Sequence, residues 1–219
     1  MIKTKDNATF KNVKMLKSIA VIVGAASMLL TTAHADQLDT VIKRGTLNCG
    51  VVLDFPPMGY FDQDNNAAGF DVDYCNDLAA ALGVKSNVLN LTWGDRIPSL
   101  VAGKTDVVVG STSDTLERAK SVGFSSPYFV FKFQVFSKSG SNINSFDDLK
   151  NVKVGAALGT TYETEYLAYA KAQGWGDSNY TAFKSENDAF LGLYQGKVDA
   201  IISTNTNIAT KLQTAEFEG

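Results

Sequence analysis

One histidine, His34, two cysteines, Cys49 and Cys75, and four prolines are all that 219 residues hold of these types. The histidine lies in the first 35 residues, so the rest of the chain has none. That excludes a Ser/His/Asp triad, a Cys/His nucleophile pair and a zinc site of the usual His/Cys kind. No apolar run approaches the ~20 residues that a membrane-spanning helix needs. A basic excess is also lacking: after residue 35 the chain carries 15 basic and 22 acidic side chains, a net charge of −7, which argues against a nucleic-acid partner. What is present, 45% hydrophobic and 20% charged residues with 18 glycines, is ordinary globular composition. Disorder, collagen and coiled coil are excluded, and the length suits one large domain or two small ones.

Lysines 3, 5, 11, 14 and 17 precede an apolar run from Ile19 to Leu30, and Ala33-His34-Ala35 follows it. This reads as a cleavable secretory signal, residues 1–35, cut after Ala35. Met15 opens a more compact version of the same signal, so translation starts at Met1 or Met15. No cysteine follows the apolar run, which removes a lipoprotein anchor. Export to an oxidising compartment allows a disulfide between Cys49 and Cys75. Cys49 lies in the strand-like run Leu47–Val52, and Cys75 shares a helical face with Leu78, Ala79 and Leu82. Both thiols therefore face a core, and the residues leave open whether they are bridged or free and buried.

Beyond the signal, short β-rich runs alternate with helical patterns, the signature of an α/β fold with a largely parallel sheet. Strands are expected at 46–52, 87–92, 106–111, 152–157, 179–184 and 198–203. Helices are expected at 71–82, 95–102, 115–120, 161–173, 186–195 and 206–215. Two segments 93 positions apart echo each other, Ser99 to Thr112 and Gly192 to Asn205: helix end, Gly-Lys, aspartate, apolar strand, hydroxyl cluster. The echo predicts two similar lobes. Ligands of open α/β sheets bind beyond the carboxyl ends of strands, which puts Ser111–Ser113 and Ser203–Asn205 at a cleft. The alternating run Tyr128–Phe136 reads as a long strand, either one crossing between lobes as a hinge or an ordinary core strand of the same pattern.

Asp114 and Glu117 have capping-box spacing and predict a helix with Arg118 in its first turn. A cation is disfavoured there, so Arg118 points to an anionic partner: a ligand carboxylate, which suits its planar fork, or Asp114 or Glu117 in a surface ion pair. Thr160 and Glu163 repeat the spacing after Gly159, where a helix start with free amides would let Thr160 and Thr161 close on the same anion. Phe55 and Trp93 follow strands, placed to sandwich the apolar part of a ligand or attract its cation.

Several stretches taken in order resemble the polar amino-acid-binding periplasmic solute receptors, family 3, that feed ATP-driven importers. They are Arg44-Gly45-Thr46-Leu47, Pro56-Pro57, Gly69-Phe70-Asp71-Val72-Asp73, Trp93 with Ile97-Pro98-Ser99-Leu100, Gly103-Lys104-Thr105-Asp106 and Thr115-Leu116-Glu117-Arg118. Phe124-Ser125-Ser126-Pro127-Tyr128, Gly159-Thr160-Thr161 and Gly196-Lys197-Val198-Asp199-Ala200 complete the series. The resemblance implies a two-lobed type II periplasmic-binding-protein fold, lobe 1 over 36–130 and lobe 2 over 131–219. It implies a monomer without metal or cofactor that closes on one small carboxylate-bearing solute and docks on a membrane permease. Phe55 and Trp93 would flank the ligand side chain, Ser111 and Ser113 would help bind its amino group, and Arg118 with Thr161 would grip its α-carboxylate. Where the family usually carries an aspartate for the ammonium group this chain has Thr204, so either Asp54 supplies the charge or the ligand is not a standard α-amino acid. Family members also continue beyond Gly219, so the end of the fold is expected to be missing.

Two other functions fit the same scaffold. A dehydratase-like enzyme would need Asp54 or Glu163 as its acid or base, since no histidine remains. A ligand-sensing domain normally comes with a membrane segment or an output module. The binding-protein reading needs neither.

Overall fold

The structure, a computed structural model, describes residues 36–176 and 179–213. The secretory signal, its cleavage after Ala35 and the alternative start at Met15 lie outside the described residues. By contact the chain divides into two units, residues 1–40 and 41–219. The first contributes only residues 36–40, with the opening of helix α1 (Gln37–Arg44); everything below concerns the second.

Two parallel sheets are built to one plan. In the first, β1 (Thr46–Val51) is central, flanked by β5 (Lys85–Asn90) and β6 (Val107–Val108). In the second, β8 (Val154–Ala157) is flanked by β9 (Tyr180–Phe183) and β10 (Ala200–Thr204), and β7 (Phe133–Ser137) adds an antiparallel edge to β10. A small antiparallel sheet of β2 (Asp54–Phe55), β3 (Gly59–Phe61) and β4 (Ala67–Ala68) projects from the first lobe. Helices α2 (Phe70–Ala81) and α3 (Arg96–Val101) belong to lobe 1, and α4 (Thr161–Ala172), α5 (Glu186–Tyr194) and α6 (Asn205–Lys211) to lobe 2.

The echoed segments occupy equivalent places and do equivalent work. After each helix the chain turns at a glycine of positive φ, Gly103 (68°) and Gly196 (71°), a conformation that costs other residues free energy. The next amide closes the helix end, Lys104 N–H on Ser99 and Lys197 N–H on Gly192. Each aspartate then pins the third strand to the first. Asp106 donates its N–H to Asn48 and accepts the Asn48 N–H on its carboxylate at 2.7 Å. Asp199 does the same with Lys153, its carboxylate accepting at 2.8 Å. The repeated Gly-Lys-x-Asp pattern is thus a clamp that sets strand register.

Cys49, Val51, Val72, Cys75 and Val109 form the core between β1 and α2. Cys49 and Cys75 are joined by a disulfide with Cα atoms 6.1 Å apart. In lobe 2, Leu149, Val154, Ala156, Tyr162, Tyr166 and Ile202 pack between the sheet and α4.

Several expected elements are corrected, and the strand expected at 106–111 is formed only over Val107–Val108. No α-helix spans 115–120: Arg118–Lys120 makes one 3-10 turn, and Asp114 and Glu117 form no capping box. Leu116, the apolar residue that would anchor such a helix, is 89% exposed, so no packed face holds it. The crossing strand is also shorter than 128–136. Residues 128–131 belong to no strand, and β7 begins at Phe133, which pairs with Thr204 of β10. The expected helix over 206–215 runs from Asn205 to Lys211, and residues 214–219 lie outside the description.

Candidate functional site

The carboxyl ends of β1, β6, β8 and β10 face a narrow cavity of about 20 Å³ between the lobes. Of the residues expected to bind ligand, Phe55, Trp93, Ser111, Ser113, Thr160, Thr161 and Thr204 all line it. Phe55 and Trp93 meet edge to face, centroids 4.9 Å apart, and Phe131 leans on Phe55 at 5.5 Å. This apolar wall continues onto Ala157 of lobe 2.

Arg118 does not line the cavity but reaches its rim. Its Nη1 donates to the Ser113 carbonyl (3.0 Å) and the Thr161 hydroxyl (3.3 Å), and its Nη2 to the Gly159 carbonyl (3.1 Å). Three of five guanidinium N–H groups are engaged, which leaves two for a carboxylate. The turn that aims it is fixed by Thr115, whose hydroxyl accepts the Arg118 N–H.

Thr160 caps α4 by accepting the Glu163 N–H, and donates its own hydroxyl to Ala157 at 2.7 Å. The Gly159 amide, expected to be free, is taken by the Glu163 carboxylate at 2.6 Å. Gly159 itself (φ 83°) crosses the cleft: a Cβ there would sit 2.8 Å from the Cα of Gly94 in lobe 1. Thr204 caps α6 by accepting the Asn207 N–H.

Asp54, one of the two alternatives expected for the ammonium group, lies outside the cavity lining and holds a bond across the lobes. Its carboxylate accepts the N–H of Glu186, the first residue of α5, at 2.8 Å across the lobes. Burial raises its affinity for a proton, opposed by that helix amide. Glu186 is fully buried, and one carboxylate oxygen accepts from Ser203 and Asn207 while the other has no partner. Burial, helped by the charge of Asp54 and opposed by the Ser203 and Asn207 hydrogen bonds, pushes its carboxyl up to about 8. A carboxyl with its folded value raised costs no stability below its unfolded value, and stability falls as pH climbs toward the folded value. The melting temperature is therefore expected to fall from about pH 5 to about pH 8, and Glu186→Gln to flatten that fall. Calorimetry of both proteins across the range checks it; parallel slopes would refute the assignment.

The sequence reading missed Arg96. It is 2% exposed, lies over the Trp93 ring at 4.8 Å, and donates to the carbonyls of Trp93, Gly110, Ser111 and, from the other lobe, Gly159. Burial and then the Arg118 charge weaken its hold on the proton, yet it stays a cation at neutral pH. The signal was available: Arg96 is the first residue of α3, a cation at a helix start like the one inferred for Arg118. Phe131, Phe133 and Tyr162 also line the cavity without having been singled out.

The model of the bacterial extracellular solute-binding proteins, family 3, matches residues 47–210. The chain belongs to this family. Its fold is the type II periplasmic-binding-protein fold with two lobes, as in the arginine-bound form of truncated ArgBP from T. maritima. That structure superposes with a TM-score of 0.75 at 31% identity, covering 82% of each chain. The L-cystine-binding protein TcyJ of Escherichia coli (strain K12) is 32% identical over 186 residues, 84% of this chain and 68% of that protein. The glutamate/aspartate import solute-binding protein of Salmonella typhimurium (strain LT2) is 30% identical over 184 residues. Those residues are 81% of this chain and 61% of that relative. These family 3 relatives are binding proteins, not enzymes, and the family acts outside the cytoplasm.

Proposed function

We propose that this chain binds one small amino acid in the cleft between a lobe over 36–130 and a lobe over 131–219, and delivers it to the membrane permease of an ATP-driven importer. The observation that carries this reading is Arg118, with two N–H groups open to a carboxylate beside the Thr161 hydroxyl. Phe55 and Trp93 supply an apolar wall for the ligand's side chain, and the oxygens of Ser111, Ser113 and Thr204 suit its amino group. Asp54 serves closure rather than charge, by tying lobe 1 to the first amide of α5. A cavity of about 20 Å³ holds little more than one water, so the lobes must part to admit an amino acid. The relatives named for cystine, for glutamate and aspartate, and for arginine support an amino acid as the ligand class. We place the protein in the periplasm as a monomer, its signal removed after Ala35.

A thermal-shift series with the twenty standard amino acids, L-cystine, ω-amino acids and dicarboxylates tests the reading. A ligand at a hundred times its Kd adds about 2.7 kcal/mol to stability, a rise of several degrees. One or a few α-amino acids are expected to give that rise; a flat series would sink the proposal.

A further inference from the structure

Ser111 is one of two non-glycine residues among those described with positive φ, at 50°. An L-residue holds that conformation only where its surroundings fix it. Its hydroxyl donates to Asp71 Oδ2 at 3.1 Å, its N–H to the Tyr128 hydroxyl at 3.4 Å, and its carbonyl accepts from Arg96 at 3.0 Å. Tyr128 in turn donates to Asp71 Oδ1 at 3.1 Å. One buried carboxylate therefore holds both the site serine and a residue of the segment that crosses between the lobes. Asp71 is free to do so because the start of α2 is closed without it. The Phe70 and Asp71 amides bond the carbonyls of Pro57 and Met58, and Asp71 lines no part of the cavity.

We propose that Asp71 is a positioning residue that couples the crossing segment to the ligand site, holding Ser111 in its left-handed conformation and anchoring Tyr128 to the same carboxylate. This rests on the amino-acid-binding reading of the cavity. Motion of the crossing segment pulls on Tyr128, and through Asp71 it reaches Ser111 and the carbonyls that Arg96 binds. The charged and titratable groups around Asp71 are Arg96 from α3, Tyr128 from the crossing segment and, beyond Arg96, Arg118. Burial outweighs the hydrogen bonds and the Arg96 charge, and raises the Asp71 carboxyl to about 6.

Two readouts test the coupling, one without ligand. In ¹⁵N–¹H spectra of the intact protein, the Ser111 amide is expected to shift with a midpoint near pH 6 and to lose that titration in Asp71→Asn. A Ser111 amide indifferent to pH in the wild-type protein would overturn the proposal. The second is a double-mutant cycle read by calorimetric titration with L-arginine, L-cystine and L-glutamate as probes. Asp71→Asn is expected to raise Kd by about tenfold when residue 111 is serine and by less than about twofold in the Ser111→Gly background, since glycine adopts positive φ unaided. Equal penalties in both backgrounds would show that Asp71 acts elsewhere. Tyr128→Phe, which removes one hydroxyl, is expected to show the same dependence on residue 111 and serves if Asp71→Asn does not fold. If none of the three probes binds, the cycle is run with the amino acid that the thermal-shift series finds; a protein that binds no amino acid refutes the amino-acid reading, while the amide titration still decides the linkage.

Discussion

Arg118→Ala is expected to raise the Kd for the amino acid by a factor of about one hundred or more. The side chain reaches three acceptors, two of them in the opposite lobe, and its remaining N–H groups are those we assign to the carboxylate. A carboxylate enclosed in the cleft without its guanidinium partner costs about 3–5 kcal/mol. Arg118→Lys is expected to recover little, because one ammonium cannot reproduce a planar fork that spans Ser113, Gly159 and Thr161. Calorimetric titration of the three proteins with the amino acid found by thermal shift measures this. An alanine variant that binds within about fivefold of wild type would move the carboxylate site elsewhere.

The second large effect concerns stability. The Cys49–Cys75 bridge closes a loop of 26 residues between β1 and α2, and both cysteines are fully buried. Such a cross-link lowers the entropy of the unfolded chain and stabilises the fold by about 3–4 kcal/mol. For a chain of this size that is a loss of about 6–15 °C in melting temperature when the bridge is absent. Cys49→Ala with Cys75→Ala, compared by scanning calorimetry with the oxidised protein, gives the number. An unchanged melting temperature would mean that the bridge adds nothing to lobe 1. Burial adds a kinetic expectation: reductant reaches the sulfurs only when β1 and α2 separate, so reduction follows local unfolding.

The architecture was largely legible because its signals are local and periodic. β1, β8, α2, α4 and α5 each carry an apolar pattern of their own period, and the expected bounds fall within two residues of those observed. The Gly-Lys-x-Asp echo correctly announced two equivalent sheets. What failed was local pattern without a tertiary partner. Residues 115–120 have good helix residues but no buried face, and 128–131 have strand alternation but no neighbouring strand. At the cavity, residues next to strand ends could be chosen in advance, whereas Arg96 and Asp71 look like an ordinary helix start and an ordinary first-turn acid. Their meaning lies in pairings over 40 or 63 positions of sequence, Asp71 with Ser111 and Arg96 with Gly159, which no periodicity encodes.

The bare contact of Gly159 with Gly94 separates two properties that evolution can then tune apart. The lobes meet there backbone to backbone, so main chain limits how close they come, while Arg96, Arg118 and Asp54 bridge them by side chain. The cavity wall, by contrast, is side chain: Phe55, Phe131, Phe133 and Thr204 line it, and none of these four is among the nearest atoms of that stop. A chain built this way can reshape its cavity by substitutions in that wall while the main-chain stop between its lobes stays as it was.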